Sequence, residues 1–405
     1  MQVTDRKNME QISLAVPDSD HQAIQQFITD TGWDAQSVMD RVAENVNELL
    51  GDPKESCLII DESGFRKKGS KSVGVARQWL GNIGKVDNCQ IGVYAALCKG
   101  DKVAIINSKL YLPQEWTQDK ARCEEAKIPL DDREFKTKEE IALEFVDRAD
   151  VSGIDYSFVC ADAGYGKGFS FCEELLKRNK IFMVDIHSDV MVYLNNPKPY
   201  IPSDLPGRGR KYSRPVSKKN AVRVDELIAG LPESEWKTMN VRKSTKGLIR
   251  YEYAHKLVWI WIKNSGIYQW HLIARRNAED KNDYKYSLSN ADEKVSVKKL
   301  APMQAQRFWI ERAFEDYKCC CGMKDYEVRS WNGWHHHMAL VMMAGLFVLS
   351  EKLKLKDEDL YITCADVEYL LQKFLPKRIV TEDDVISELY RRIKFRELLY
   401  SQNYN

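Results

Sequence analysis

The spacing of apolar residues predicts helices over the first part of the chain. Val38, Val42 and Val46 recur every four residues, which places them on one face of a helix over Ala35–Leu50. A shorter helix is expected over His21–Thr29, because the acidic and serine residues before it are typical helix caps. A small helical region of this kind is suited equally to reading DNA and to packing against the rest of the chain.

Short apolar runs, typical of buried strands, begin after this region. The runs are Cys57–Asp61, Ala76–Leu80, Cys89–Cys98, Val103–Leu112, Phe158–Asp162 and Ile181–Ile186. Helical patterns over Lys136–Val151 and about Phe169–Asn179 lie between the later runs. Several strands followed by alternating helix and strand predict an α/β fold with a mixed sheet.

A second group of strand-like runs follows before the chain turns helical after Val295. They are Leu248–Ala254, Leu257–Lys263, Tyr268–Arg275 and Tyr284–Ser289. We interpret this group as a β-rich insertion in the α/β core, flanked by N- and C-terminal helices. The predicted regions are residues 1–52 (helical, a possible DNA-binding region), 53–190 (first part of the core), 191–295 (insertion), 296–350 (core-closing helices) and 351–405 (C-terminal helical region).

Composition excludes several classes of protein. The chain has 405 residues, 44% of them hydrophobic and 30% charged, as expected of a globular protein. The longest apolar stretch, Met338–Leu349, is too short to span a bilayer, and the first residues lack the apolar core of a signal peptide. We therefore expect a cytoplasmic protein without a membrane partner.

Ten cysteines and three consecutive histidines raise the question of a zinc site. Structural zinc sites use spaced ligand pairs, whereas Cys319–Cys321 and His335–His337 are runs of adjacent residues. Neighbouring side chains on a helix point in different directions, so buried thiols and packed imidazoles are the favoured interpretation. Cysteines within apolar strand runs, such as Cys57 and Cys160, indicate reduced thiols.

The net charge of +1 does not by itself indicate a nucleic-acid partner, but one segment is strongly basic. Pro206–Arg223 contains no acidic residue. Its cations are Arg208, Arg210, Lys211, Arg214, Lys218, Lys219 and Arg223. Such a run fits a solvated loop as well as a contact with a phosphate backbone.

Two aspartates are placed where enzymes often keep catalytic groups. Asp61 and Asp162 each end an apolar run and are followed by small residues or glycine. A strand fixes such a side chain while the following loop admits the substrate. The same pattern also suits turn formers and caps, and the pair alone leaves both interpretations open.

A charged stripe on a later helix supplies a third candidate. At about 100° per residue over Gln304–Met323, Arg307, Glu311 and Lys318 fall within about 40° of one another, with Glu315 slightly further round. The opposite sector is apolar: Ile310, Ala313, Phe314, Tyr317, Cys320 and Cys321. From composition alone this pattern favours a solvated face with ion pairs, and it also fits a face that presents a carboxylate to a metal.

Five segments together resemble the DDE transposases of bacterial insertion sequences, which have an RNase H-like catalytic fold. The segments are Ile60–Gln78, Asn88–Val93, Ala161–Gly166, Arg307–Lys318 and Tyr326–Trp334. Arg307, Glu311 and Lys318 match the last three positions of the signature Tyr-x2-Arg-x3-Glu-x6-Lys, whereas Gln304 stands at its Tyr position. The resemblance runs from about Asp5 to Phe347.

This resemblance implies roles for particular residues. Asp61, Asp162 and Glu311 would bind two Mg²⁺ ions, or Mn²⁺ in their place, and Arg307 and Lys318 would contact DNA. Further expected DNA contacts are Lys67, Lys68, Arg208, Arg210, Lys211, Trp259 and Trp261. One of the two tryptophans, Trp259 or Trp261, would stack on a flipped base, although a tryptophan within a strand is more often a core residue.

The reaction implied is cut-and-paste transposition. Water activated by Mg²⁺ would cut one strand at the transposon end, and the freed 3′-OH would attack the opposite strand and then the target. The resemblance also implies a homodimer on double-stranded DNA, associated with the bacterial nucleoid. An RNase H-like endonuclease without strand transfer, or a domesticated DNA-binding protein, are the alternatives. The glycines of Gly164–Gly168 lack the spacing of a nucleotide site, so no nucleotide cofactor is expected.

Overall fold

Three capped helices precede the first strand in the computed structural model, which describes residues 3, 6–202, 214–244, 247–263, 265–355 and 362–403. They are α1 (Met9–Ala15), α2 (His21–Thr29) and α3 (Ala35–Leu50). The side chain of Asp34 accepts hydrogen bonds from two backbone N–H groups at the start of α3. Helix α3 buries Met39, Val42 and Val46, as its periodicity predicts.

The first four strands form an antiparallel group. They are β1 (Cys57–Arg66), β2 (Ala76–Leu80), β3 (Lys85–Lys99) and β4 (Lys102–Leu110). β3 pairs with β1 along one edge and with β2 and β4 along the other. Gly100 has a φ of 62° in the tight β3–β4 turn, a conformation that glycine adopts without steric cost.

Two further strands continue the sheet in parallel with β1. The chain passes through α4 (Gln114–Thr117), α5 (Lys120–Glu125), α6 (Lys138–Val151), β5 (Phe158–Ala161), α7 (Ser170–Lys177) and β6 (Phe182–Ile186). β5 pairs parallel to β1, and β6 pairs parallel to β5. The order β4-β3-β1-β5-β6, with β3 alone antiparallel to its neighbours, confirms the expected α/β core with an RNase H-like mixed sheet.

The β-rich block extends this same sheet. Its elements are β7 (Met191–Val192), β8 (Val222–Arg223), α8 (Val224–Ala229), β9 (Lys237–Ser244), β10 (Gly247–Ile262), β11 (Gly266–Asn277) and β12 (Tyr284–Ser289). β12 pairs antiparallel with β6, and β11, β10 and β9 follow in order. The two predicted runs at Leu248–Ala254 and Leu257–Lys263 are one continuous strand, β10, because no turn residue separates them. The boundaries of the predicted regions stay predictions.

Helices close the chain. They are α9 (Val297–Gln306), α10 (Phe308–Cys320), α11 (Trp331–Lys354), α12 (Cys364–Phe374) and α13 (Glu382–Asn403). The predicted helix through Gln304–Met323 is divided at Arg307, which lies between α9 and α10. Helix α10 buries Ile310, Ala313 and Phe314, as the wheel predicts.

The histidine run on α11 packs against backbone carbonyls. Both ring nitrogens of His336 lie 2.8 Å from carbonyl oxygens, those of Ile28 and Trp33. His335 and His337 likewise contact the carbonyls of Trp331 and Gly322. His336 and His337 therefore tie α11 to its surroundings, whereas the contact of His335 stays within the helix.

No helix within the described ranges is both long enough and apolar enough to cross a membrane.

Candidate active site

Three aspartates lie at the same level of three neighbouring parallel strands. The in-register residues of β1, β5 and β6 are Ile60, Ala161 and Val184. The next residue in each segment is Asp61, Asp162 or Asp185. Neighbouring strands are about 4.8 Å apart, so the three carboxylates form a row across the sheet. We call these residues the aspartate row.

The row forms the floor of an open cleft of ≈ 960 Å³. Helix α10 forms one wall, and the β1–β2 and β12 segments supply further side chains. The charged and aromatic residues that line the cleft include Asp61, Asp162, Asp185, Arg307, Glu311, Glu315, Lys318, Lys285 and Trp79. The cleft therefore brings together the three predicted carboxylates and both cations of the signature.

Arg307 lies at the centre of these acids. Its Nε is 2.8 Å from Oδ2 of Asp185, and its Nη1 is 3.3 Å from Oδ2 of Asp61. Its Nη2 forms an ion pair with Oε1 of Glu311, one helical turn away. One guanidinium group thus joins two members of the aspartate row to the acid of α10, with a different nitrogen contacting each carboxylate.

Around the aspartate row, acidic side chains outnumber the basic side chain of Arg307 with which they are in contact. Burial, followed by repulsion from Asp162, raises the pKa of Asp61 to about 8, although Arg307 opposes the rise. Burial disfavours the charged form of Arg307, but Asp185, Asp61 and Glu311 outweigh it and raise the pKa of that guanidinium. An additional positive charge would therefore be stabilised here.

The acidic oxygens fit a divalent cation in chemistry. Carboxylates are the hard ligands that Mg²⁺ and Mn²⁺ prefer, and Asp61, Asp162 and Glu311 come from three different elements. As the side chains stand, no group of three His, Cys, Asp or Glu residues within the described ranges is arranged to hold an ion. The guanidinium group of Arg307 contacts both Asp61 and Glu311.

Glu311 and Glu315 have different surroundings, although both line the cleft. Glu311 is paired with the buried Arg307, and its side chain is 46% exposed. Glu315 is 70% exposed and pairs with Arg312 at 3.2 Å, away from the row. The geometry therefore favours Glu311 as the partner of the two aspartates.

The predicted lysines divide between the cleft and its surroundings. Lys318 lines the cleft, with its Nζ 5.4 Å from the centroid of the Phe65 ring. The Nζ of Lys67 lies 3.6 Å from the centroid of Tyr326, and burial lowers its pKa to about 8. Lys68 is exposed beside it. Lys67 therefore packs on a ring and does not reach the carboxylates.

The other predicted DNA contacts lie elsewhere. Arg208, Arg210 and Lys211 fall outside the described residues. Trp259 and Trp261 are half-buried in β10, where the backbone of Trp259 bonds to that of Tyr193 and the ring of Trp261 lies 6.5 Å from the ring of Tyr193. Neither ring is among the described residues that line the cleft.

An aromatic residue that sequence reasoning missed lies at the rim of the cleft. Trp79 on β2 is 58% exposed, and its cross-strand neighbour Val86 is 48% exposed. Nothing in the alternation of this short strand marks Trp79 as a functional residue. Its position at the carboxylate cleft becomes visible only when β2 pairs with β3.

Asp185 and Gln304 form a second unforeseen feature. The Oγ of Ser287 donates to Oδ1 of Asp185 at 2.5 Å and accepts from Nε2 of Gln304 at 2.7 Å. Gln304, at the signature's Tyr position, is only 4% exposed, so here it supports Asp185 from within the protein. The signal was available for Asp185, since Phe182–Ile186 is an apolar strand with an acid near its end, like those of Asp61 and Asp162.

Comparison with known proteins identifies the family. Residues 1–248 match the sequence profile described as DDE superfamily endonuclease. The chain belongs to this family. The part of this DDE endonuclease that matches includes Asp61 and Asp162 and ends before Glu311, so the assignment of the third carboxylate rests on the geometry of α10.

One curated relative has a transposase name. This DDE endonuclease is 31% identical over 188 residues to the "Probable transposase for insertion sequence element IS701" of Microchaete diplosiphon, over 45% of each chain. The chain thus spans less than half of the relative's length. Among solved structures, the NurA nuclease from Sulfolobus solfataricus superimposes on 74% of this chain and 92% of its own, with a TM-score of 0.30 and 9% identity. This structural similarity to the NurA nuclease is too low to support a conclusion about the chain.

Proposed function

We propose that the chain is a metal-dependent transposase that cuts DNA at the ends of an insertion sequence and joins the cut end to target DNA. The observation that carries the proposal is the meeting of Asp61, Asp162 and Glu311 in one open cleft. Membership of the DDE endonucleases and the similarity to a probable transposase support it. An open cleft of ≈ 960 Å³ also suits a polymer better than an enclosed pocket would.

Asp61, Asp162 and Glu311 are the residues that would hold Mg²⁺, or Mn²⁺, as two ions in one site. Such ions, when bound, activate the attacking oxygen and stabilise the leaving oxygen in an in-line displacement at phosphorus. The strands fix both aspartates in the floor of the cleft, and α10 supplies the glutamate from one wall. The three carboxylates would thus reach the proposed site from two sides of the cleft.

Arg307 and Lys318 would orient the DNA. When Asp61 and Glu311 are engaged elsewhere, Arg307 keeps its contact with Asp185, whose other oxygen is held by Ser287. The two terminal nitrogens of the guanidinium are then free to bind a substrate phosphate bidentately. Lys318, two turns along α10 from Glu311, adds a second cation on the same side of the cleft.

Cutting and joining would use the same residues in succession. Both reactions are in-line displacements at phosphorus and differ only in the attacking oxygen, which belongs to water or to a DNA 3′-OH. No side chain of the cleft needs to form a covalent bond to DNA. Two transposon ends have to be joined in concert, so we propose a homodimer on double-stranded DNA as the working form.

The experiment that tests the proposal is an in-vitro reaction with a labelled duplex from the end of the element that encodes the chain, in Mg²⁺ or Mn²⁺. We expect nicks at the element boundary and, with target plasmid present, covalent joining of the labelled 3′ end. The variant Asp162→Asn should abolish both products. Nicking without joining would indicate an endonuclease, and binding without cleavage would indicate a DNA-binding protein only.

A further inference from the structure

A second, smaller pocket lies beside the carboxylate cleft, on the side of the β-rich extension. It has a volume of ≈ 230 Å³ and shares Asp185, Lys285, Arg307 and Glu311 with the cleft. Four cations line it, namely Arg242, Arg275, Lys285 and Arg307. Only Arg307 belongs to the signature residues, so the other three form a separate cationic group.

The three new cations come from three strands. Arg242 is on β9, Arg275 on β11 and Lys285 on β12. Arg275 and Lys285 are directly opposite each other in the β11–β12 ladder, so both side chains project from the same face of the sheet. Like charges in directly opposed positions destabilise a sheet, and the fold therefore maintains an unfavourable pair at the pocket wall.

The acids near these cations do not neutralise them. Three acids also line the pocket: Asp185 and Glu311 are engaged by Arg307, and Asp283 is exposed to solvent. No described acidic side chain forms an ion pair with Arg242, Arg275 or Lys285. The Cζ of Arg242 lies 3.1 Å from the centroid of the Phe308 ring, and that of Arg275 lies 4.4 Å from Tyr251. Aromatic rings hold the guanidinium groups in place but supply no negative charge.

Partial burial raises the free-energy cost of keeping these three cations without a nearby anion. All three side chains are partly buried. Burial lowers the pKa of Lys285, and Arg307 and Arg275 lower it further despite the nearby Glu311. Partly buried cations that repel one another are stabilised when an anion enters between them.

We propose that this pocket binds a phosphate group of the DNA strand that enters the carboxylate cleft. Arg242, Arg275 and Lys285 would then hold the strand beside the point of cleavage, on the side of the β-rich extension. Arginine forks and a lysine ammonium group match phosphate oxygens in number and geometry. The volume is below that of typical small-molecule pockets, which suits a single phosphate better than a whole nucleotide. The inference rests on the proposed function in that DNA is taken as the substrate.

Lys285→Gln is the variant that tests the pocket, with Lys285→Arg as the conservative replacement and Lys263→Gln as the control. Lys263 is exposed at the end of β10 and does not line the pocket. Binding is measured as fluorescence anisotropy of a labelled duplex of unrelated sequence over a range of NaCl concentrations, because a backbone contact does not depend on sequence.

We expect Lys285→Gln to weaken DNA binding about tenfold, the size of one lost charge-assisted hydrogen bond. The slope of log K against log salt concentration should become shallower by about 0.9, the value for one phosphate. Lys285→Arg should restore both quantities, and Lys263→Gln should leave both unchanged. Without DNA, Lys285→Gln should unfold at the same or a higher temperature than the wild type, because the repulsion from Arg275 is removed.

Three results would overturn the inference. One is a Lys285→Gln protein that binds DNA with the affinity and salt slope of the wild type. Another is a Lys285→Gln protein whose melting temperature falls and whose DNA binding is not restored by Lys285→Arg, which would show a structural role. A pocket that serves free phosphate would appear as a Lys285-dependent stabilisation by inorganic phosphate with no change in DNA binding, and this also overturns the inference.

The two experiments distinguish an error in the proposed function from an error in the assignment of the pocket. If the wild type cleaves element ends while Lys285→Gln binds DNA normally, the pocket assignment is wrong and the transposase proposal stands. If the wild type never cleaves DNA but Lys285→Gln loses the phosphate contact, the pocket assignment stands and the catalytic proposal is wrong.

Discussion

The Nε atom of Arg307 lies 2.8 Å from Oδ2 of Asp185, while the two terminal nitrogens of the same guanidinium group reach Asp61 and Glu311. Arg307 therefore has one contact outside the proposed metal ligands and two contacts with them. A cation bound between Asp61 and Glu311 would weaken the hold of both carboxylates on Arg307, while the contact with Asp185 can persist. On the proposed function, Arg307 and the metal would compete for the same carboxylates, and this competition can be measured without DNA.

The first prediction is that Arg307→Gln binds Mn²⁺ more tightly than the wild type, although it cleaves DNA more slowly. A unit charge at about 4 Å contributes roughly 4 kcal/mol at an effective dielectric of 20, so a gain in affinity of at least about tenfold is expected. Electron paramagnetic resonance of Mn²⁺ titrated into the DNA-free protein gives the affinity. Equal or weaker Mn²⁺ binding by the variant would show that Arg307 does not compete with the metal.

Asp185→Asn is expected to have the opposite effect. The loss of this carboxylate removes a negative charge from the row and leaves Arg307 entirely to Asp61 and Glu311, so Mn²⁺ affinity should fall several-fold. The matched control is Asp189→Asn, an exposed aspartate four residues further along the chain. If the two variants bind Mn²⁺ alike, Asp185 has no part in the site.

Glu311→Gln should reduce cleavage at the element end by at least about a hundredfold, because a metal ligand contributes several kcal/mol of charge stabilisation in the transition state. Glu315→Gln, one turn further along α10, should cut at close to the wild-type rate, since Glu315 pairs with Arg312 and faces solvent. Single-turnover cleavage of a labelled duplex gives both rates. The reverse order of effects would transfer the role to Glu315.

The stability of the protein should fall as the pH drops from about 6.5 towards 4. Burial lowers the pKa of His337 to about 4, against the opposing influence of its carbonyl partner Gly322 and of Asp325, while nearby Lys67 lowers it slightly. In that window the unfolded chain binds a proton that the folded chain does not, so acid favours unfolding. Stability above about pH 6.5 is unaffected by this group.

Urea unfolding across this pH range measures the effect. His337→Gln, whose amide can still donate to the carbonyl of Gly322, should have a shallower dependence of stability on pH than the wild type. His187→Gln replaces an exposed histidine and should keep the wild-type dependence. A His337→Gln protein with an unchanged slope would contradict the assignment.

Trp79→Ala should weaken the binding of single-stranded DNA without lowering the melting temperature. The ring is 58% exposed at the rim of the cleft, and stacking of a base on such a ring contributes about 1–3 kcal/mol. Trp261→Ala provides the contrast, because its half-buried ring should contribute to stability more than to DNA binding. A loss of DNA binding confined to Trp261→Ala would return the stacking role to β10.

Local patterns of sequence predicted the core well. Asp162 directly follows β5, as its apolar run predicts, whereas Asp61 lies inside β1, which continues past the predicted run to Arg66. The periodicity of α10 correctly placed Ile310 and Phe314 inside the protein and Glu311 outside it. These predictions depend only on neighbours a few residues apart, where alternation and helical spacing are directly visible.

The remaining features depend on pairing between distant strands. Arg275 and Lys285 are ordinary charged residues in the sequence, and only the β11–β12 register places them opposite each other. Trp79 likewise gains its position from the pairing of β2 with β3. Gln304 was expected as a departure from a signature, whereas the structure places it beneath Ser287 as support for Asp185.

The continuity of the sheet from β6 into β12 has a further consequence. Four residue pairs, from Tyr286↔Ile186 to Ser289↔Met183, join the core to the β-rich extension through backbone hydrogen bonds. A domain on a flexible linker can adjust its distance from a catalytic centre, whereas two sites on one hydrogen-bonded sheet keep a constant separation. Asp185 of the aspartate row lies on β6 and Lys285 of the pocket lies on the neighbouring strand β12, so the distance between the proposed point of cleavage and the proposed phosphate contact would be fixed by the pairing of these two strands.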